Sequence, residues 1–145
     1  MGHQVRRWKS EHDEGVVVVL IGMHVNRPTR VRAWWPVLTA MPRMLRELAA
    51  DPGSGFLGAR LTLGRGGPIV VQYWRDRESL FRWARDPEST HRPAWRAFHA
   101  RARSTGGAVG IWHEIFDVPA GRHESRYVDM PAPAGLAAAT RSVPA

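Results

Sequence analysis

The sequence of 145 residues contains no cysteine. That absence excludes disulfides, thiolate metal sites, a thiolate haem ligand and a cysteine nucleophile. It fits a reducing compartment, and a cytoplasmic location is expected. Lysine is nearly absent too: Lys9 is the only one, so arginine carries almost all of the net charge of +8. The arginines form no single block. They recur as Arg30/Arg32, Arg75/Arg77 and Arg101/Arg103, with acids between many of them. A nucleic-acid-binding face is usually clustered, so nucleic acid is not an expected partner. Arginines near a pocket would instead suit an anionic substrate. Long apolar runs are missing as well. The longest, Val16 to Gly22, is far too short to span a bilayer. The opening Met-Gly-His-Gln-Val-Arg-Arg-Trp-Lys has no apolar core of the kind a signal peptide needs. A membrane partner is not expected.

Tryptophan, by contrast, is abundant, with seven residues. Trp34, Trp35, Trp74, Trp83, Trp95 and Trp112 all fall in segments with regular periodicity, and most of them are expected in the core. A single domain of this length buries roughly 68–70% of its unfolded surface and folds without a metal or disulfide.

Residues 1–14 are polar and charged and read as a mobile arm; residues 15–122 read as the domain. "GVVVVLIGMHVN" (15–26) is β-branched and apolar on both faces, as a central strand is. Val16, Val18 and Leu20 point one way; Val17, Val19 and Ile21 point the other. From about Val31 to Ala50, Trp34, Leu38, Met41, Leu45 and Leu48 form one stripe of an amphipathic helix. Pro36 suits its first turn, whereas Pro42 is expected to kink or split it. "FLGARLTLGRGGPIVVQYWRD" (56–76) reads as a hairpin around Gly64-Arg65-Gly66-Gly67. That glycine cluster joins strand to strand and so is not a phosphate loop. Asp76 is placed to cap a short helix. A second helical piece starts near Pro93 and runs to about Arg103. The last strand spans 108–118. In the tail, 123–145, the first half is expected to be ordered by Tyr127, Met130 and Leu136 and the end to be loose.

The order βαββαβ with right-handed crossovers gives an α+β, ferredoxin-like antiparallel sheet with both helices on one face. The other face has no expected cover within the chain, yet it is apolar. A homodimer with sheets face to face follows as an expectation.

In "GIWHEIFDVPAG" (110–121) a histidine and a glutamate adjoin in a strand. Neighbours on a strand point to opposite faces, so His113 goes with Ile111 and Ile115, and Glu114 with Trp112 and Phe116. The two cannot grip one atom together. A satisfied core histidine and a pocket role are both open for His113. His91 and His99 are about 12 Å apart along a helix. No H-x-H, H-x-x-x-H or H-E-x-x-H occurs, and no metal is expected; a mononuclear site would have to be assembled from the distant His24, His91 and His113. No serine sits in a Gly-x-Ser-x-Gly elbow. His91, Trp95, Phe98 and Ala102 share a stripe if the helical turn extends back. A helix N-terminus would keep His91 neutral and able to take a proton or ligate iron; a capping role is the alternative. Trp95 set against Tyr73 or Trp74 would make an aromatic slot for a flat or lipophilic ligand.

Four stretches carry a resemblance: "FLIGMxxN"-type residues at Val19 to Asn26, "MPRMLRELAADPxSGxLG" at Met41 to Gly58, "VQYWRDxExLxxWARDPxxxHxPAWRAF" at Val71 to Phe98, and "VGIWHEIFxVPAGxxExxYxxMP" at Val109 to Pro131. Over most of 15–136 the chain resembles a small family, named for a monooxygenase of the fumagillin pathway, within the dimeric α/β-barrel, antibiotic-biosynthesis-monooxygenase-like superfamily. The N-terminal arm has no counterpart. The resemblance implies a ferredoxin-like homodimer with a pocket between sheet and helices. It also implies a monooxygenase-like oxidoreductase of secondary metabolism that acts on a lipophilic or aromatic small molecule without a cofactor. In such relatives the substrate is deprotonated and its carbanion reduces O2.

His91 or His113 would then be the base. Trp95, Trp112 and Tyr73, with Trp74, Phe98 and Glu114, would contact substrate, and Asn26 would orient an oxyanion. Other relatives bind haem through a histidine of the second helix region, where His91 or His99 would correspond. A haem enzyme of dehydration or oxygenation and a non-enzymatic ligand-binding protein are the alternatives.

Overall fold

A computed structural model describes residues 4–85 and 93–145, the first three residues of the second range by backbone only. Strand β1 (Arg7–Ser10) leads into β2 (Val16–Val25) and helix α1 (Val31–Ala49); a 3-10 turn at Pro52–Ser54 follows. Next come β3 (Phe56–Gly64), β4 (Gly67–Trp74), α2 (Arg77–Arg85), α3 (Pro93–Arg103) and β5 (Val109–Val118). The chain closes with β6 (Arg126–Val128), α4 (Gly135–Ala139) and β7 (Ser142–Pro144). Among the described residues no helix is long and apolar enough to cross a membrane.

Four strands form one antiparallel sheet in the order β3-β4-β2-β5. This is the ferredoxin-like plan: β2 and β3 are separated by β4, so the intervening α1 must cross over the sheet. β2, central and apolar on both faces, pairs with β4 and β5 along most of its length. The hairpin closes at Gly64↔Gly67, and Gly66 takes a φ of 98° that other residues resist.

The helices cover the face that carries Val17, Val19, Ile21 and Met23. One cluster joins Met23, Val70 and Val109 to Val37, Met41 and Met44 of α1 and Phe98 and Ala102 of α3. A second joins Val17, Val19, Ile21 and Trp74 to Leu48, Leu80 and Trp83. The stripe of α1 is broader than the expected one: Val37, Ala40 and Met44 are buried with Met41 and Leu48, while Trp34, Leu38 and Leu45 flank the core. The helix also runs on through Pro42 without splitting. Packing on both sides of Pro42 holds it, since Met41 and Met44 are almost fully buried. Asp76 caps α2, accepting from Ser79 N at 2.6 Å. That contact, ahead of the one with Arg75, holds its carboxyl below the usual range.

The opposite face departs from expectation at one end. The tail covers it: Leu136 of α4 is buried with Val16 and Tyr73, and Val18, Leu57, Val71 and Val118 pack around them. Gly58 makes room, because a Cβ there would stand 2.8 Å from that of Ala139. The tail is anchored by a second, three-stranded sheet, β6-β1-β7. Residues 7–10, expected within a mobile arm, are its central strand, and the end expected to be loose supplies β7. Trp8 explains both. It gives the arm an apolar group to bury, and it lies opposite Tyr127 and Pro144. Past this cover the face stays open around Phe116, which is 49% exposed.

Candidate functional site

A cavity of about 160 Å³ lies between the sheet and α2 and α3. Its floor is Val19 and Ile21 of β2, Gln72 of β4, and Ile111, His113 and Ile115 of β5. Leu80, Phe81, Trp83 and Ala84 of α2 and His99 of α3 wall it. Strand alternation explains the floor: Val19 pairs with Gln72 on one side and Ile115 on the other, and Ile21 pairs with His113. An engineered apolar cavity of about 150 Å³ admits one benzene, so this one has room for a single ring.

Two imidazoles reach it. His113 lies with Ile111 and Ile115, as alternation predicts, and is exposed at the edge. His99 is half-buried and meets Phe98 edge to face, with ring centroids 5.5 Å apart. Burial, then Arg103 and His113, pull the His99 pKa below its ordinary value. Imidazolium is the form that desolvation disfavours, so His99 stays neutral near pH 7 and can accept a proton.

Gln72 is the polar member of the floor that sequence reading missed. It is 2% exposed. Its Oε1 accepts from Trp74 Nε1 at 3.0 Å, and its Nε2 is buried without a hydrogen-bond partner among the described residues. Trp74 is itself fixed, fully buried between Phe56 (centroids 5.4 Å apart) and Trp83 (5.9 Å). The signal was present in the chain: Gln72 shares a face with Val70 and Trp74, and its own cross-strand partners, Val19 and Ala59, are apolar. Phe81 joins the cavity to the outer surface, where the guanidinium groups of Arg77 and Arg85 stand 5.4 and 5.1 Å from its ring centre.

The other expected site residues lie elsewhere. Trp112 and Glu114 are on the opposite face of the sheet, in register with Gly22 and Leu20. Tyr73 is also on that face, buried under Leu136, with burial raising its phenol and Arg60 acting against this. It therefore does not line the helix-side cavity, and the slot expected between Trp95 and Tyr73 or Trp74 falls outside the described residues. Trp74 and Phe98 are core residues on the helix side; Trp74 does not line the cavity itself but adjoins it through Gln72 and Trp83. Asn26 joins strand ends: Oδ1 meets His24 Nδ1 at 2.8 Å and Nδ2 donates to Gly107 O at 3.0 Å. It does not line the cavity, so it is not placed to meet an oxyanion there. His91 and the side chain of Trp95 lie outside the described residues.

Among the described residues no group of three or more His, Asp or Glu is placed to hold a metal. Haem is a separate question. His99 offers a suitable ligand atom, but a cavity sized for one ring does not admit a four-pyrrole macrocycle between α2 and α3 as they stand. Among the described residues, the space as it stands does not fit that group.

Residues 16–136 match the family described as Monooxygenase af470-like. No curated protein matches. Among solved structures, the aldoxime dehydratase OxdRE in complex with butyraldoxime is 17% identical, with a TM-score of 0.63, over 86% of this chain and 37% of that one. The chain thus spans little more than a third of that enzyme, and the likeness is one of fold. SnoaB, a cofactor-independent oxygenase from Streptomyces nogalater, is 18% identical, with a TM-score of 0.43, over 72% of this chain and 92% of that one. Rv0793 from Mycobacterium tuberculosis is 20% identical, with a TM-score of 0.39, over 81% and 97% of the two chains. The family match takes in every element from β2 into α4, including all the described residues that line the cavity, and the chain belongs to the Monooxygenase af470-like family.

Proposed function

We propose that this protein is a cofactor-independent oxygenase for a small aromatic or lipophilic molecule, with His99 as the base. The observation that carries the reading is an apolar cavity, sized for one ring, that contains an imidazole kept neutral by burial. Such a cavity has room for a substrate ring but not for a flavin or porphyrin beside it. The chemistry asked of it is modest. His99 takes a proton from an acidic C–H of the substrate, and the carbanion passes an electron to O2. The radical and superoxide then combine, and the peroxide recovers the proton. Loss of water from a former CH2 leaves a carbonyl, with both oxygen atoms accounted for. The apolar walls exclude water that would otherwise quench the carbanion. His113, at the edge, is placed to pass protons to solvent.

A second copy of the chain is the cover we propose for the open part of the sheet around Phe116. Sedimentation at micromolar concentration should then give about twice the 16.3 kDa chain mass.

The functional test is O2 uptake with enolisable single-ring ketones of the phenylacetone and propiophenone type, in chelator-treated buffer. His99→Ala should slow turnover by about 10²–10⁴, the usual loss for a general base, with an unchanged melting curve. No uptake by the parent with any of these ketones, or full activity in the variant, would sink the reading. A Soret band in the purified protein would replace it with a haem enzyme.

A further inference from the structure

We infer that Gln72, its amide oriented by Trp74, holds an oxygen of the ligand, so that the cavity selects a ring bearing a carbonyl or enolate over the matching hydrocarbon. The inference rests on the cavity being the ligand site. Its first step is the direction of the amide. An indole N–H donates and cannot accept, so the Gln72 atom facing Trp74 must be the carbonyl oxygen. The orientation follows from chemistry and not from an arbitrary assignment. The NH2 end is then the one left over, and it is buried with no acceptor bonded to it among the described residues.

A buried donor without a partner is costly and is rarely retained without a use. Among the described residues nothing bonds it: the neighbouring floor is Val19, Ile21, Ile111 and Ile115, and no hydrogen bond joins it to the imidazoles of His99 and His113 that also line the cavity. An acceptor has to arrive with the ligand. Carbonyl, enolate and phenolate oxygens qualify; an ammonium, which only donates, does not. During deprotonation next to a carbonyl, negative charge moves onto that oxygen, and a fixed N–H stabilises it more than it stabilises the ground state. Gln72 thereby takes the task that Asn26, at the strand ends, is not placed to perform.

Trp74 is a positioning residue here. Without its indole N–H, the amide is free to turn over and present its oxygen, which repels an acceptor. Phenylalanine at 74 keeps an aromatic ring between Phe56 and Trp83 but gives up that control.

The probes are acetophenone and ethylbenzene, which have nearly the same shape and differ at one carbonyl. Binding to the full chain is followed by the side-chain amide signals of Gln72 and the ring signals of His99 and His113. The parent should bind acetophenone about tenfold more tightly, the value of one net hydrogen bond. In Gln72→Met the preference should fall to about one while ethylbenzene still binds. In Trp74→Phe it should fall part of the way with Gln72 still present, which a purely structural role for Trp74 would not produce. If the parent binds both probes equally, Gln72 does not read the oxygen, although the cavity remains the ligand site. If neither probe moves the signals of the two histidines, the cavity reading itself fails and the Gln72 role goes with it. The parent comparison decides both points even if a variant does not fold.

Discussion

The indole of Trp112 lies across Gly22 on the neighbouring strand, so close that a Cβ on Gly22 would stand 2.1 Å from the ring. The two residues are directly paired between β2 and β5, on the face turned away from the helices. The glycine in an otherwise β-branched strand is thus explained by its neighbour across the ladder.

Gly22→Ala should force the indole off the sheet and destabilise the fold by about 1–3 kcal/mol, as overpacking does. In a Trp112→Ala background the same change should cost much less, and a coupling above about 0.5 kcal/mol marks contact. Urea midpoints of the four proteins measure this. Additive effects would mean that the indole does not lie there.

His113 and Glu114 lie on opposite faces of one strand, and only His113 lines the cavity. Glu114→Ala should leave acetophenone affinity unchanged. His113→Ala should alter it, and the double variant should match the product of the single effects. A large coupling would place both side chains at one ligand.

The lowered His99 pKa makes stability depend on pH in a definite direction. Above about pH 6.5 the imidazole is neutral folded and unfolded alike. Below it the unfolded chain takes up the proton first, so stability falls as pH drops toward the folded pKa. His99→Gln should therefore lose less melting temperature than the parent between about pH 7 and pH 5. Turnover by the parent should persist below about pH 6.5 for the same reason. A steeper acid loss in the variant would contradict the sign.

Asp76 links β4 to α2, and through α2 to Leu80, Phe81 and Trp83 of the cavity wall. Asp76→Ala should cost about 0.5–2 kcal/mol as a lost cap. Because its folded pKa is depressed, its contribution is present above about pH 3.9 and is lost as pH falls through the folded value. Thermal melts at about pH 7 and about pH 2.5 test this: the difference between parent and variant should shrink steadily toward the lower pH.

The sheet was legible because its strands are short apolar runs bounded by glycine and proline, and because alternation alone assigned Val17, Val19 and Ile21 to one face. The same rule placed His113 with Ile111 and Ile115. Which face meets the helices is not encoded in a strand alone, however. Tyr73 and Trp74 are equally aromatic neighbours, and only the pairing with β2 puts Trp74 inside and Tyr73 outside. Asn26 had the chemistry of an oxyanion donor, but its partners, His24 and Gly107, are set by where strand ends meet. Gln72 does not stand out in the sequence, because a glutamine is ordinarily a surface residue. The polar, charged composition of the arm suggests mobility, and the one apolar group that orders it, Trp8, is a weak signal in a sequence.

The clasp between the two ends of the chain has a mechanical consequence. Trp8 pairs with Pro144 and Ser10 with Ser142, so β1 and β7 run antiparallel with their outer ends together. A force applied to the two ends loads this ribbon at its open end, like a zipper, and breaks its bonds in succession. A parallel arrangement would be loaded in shear, with all bonds sharing the force. The ribbon should therefore part first and at low force, freeing the tail while the four-stranded sheet and its cavity stay intact.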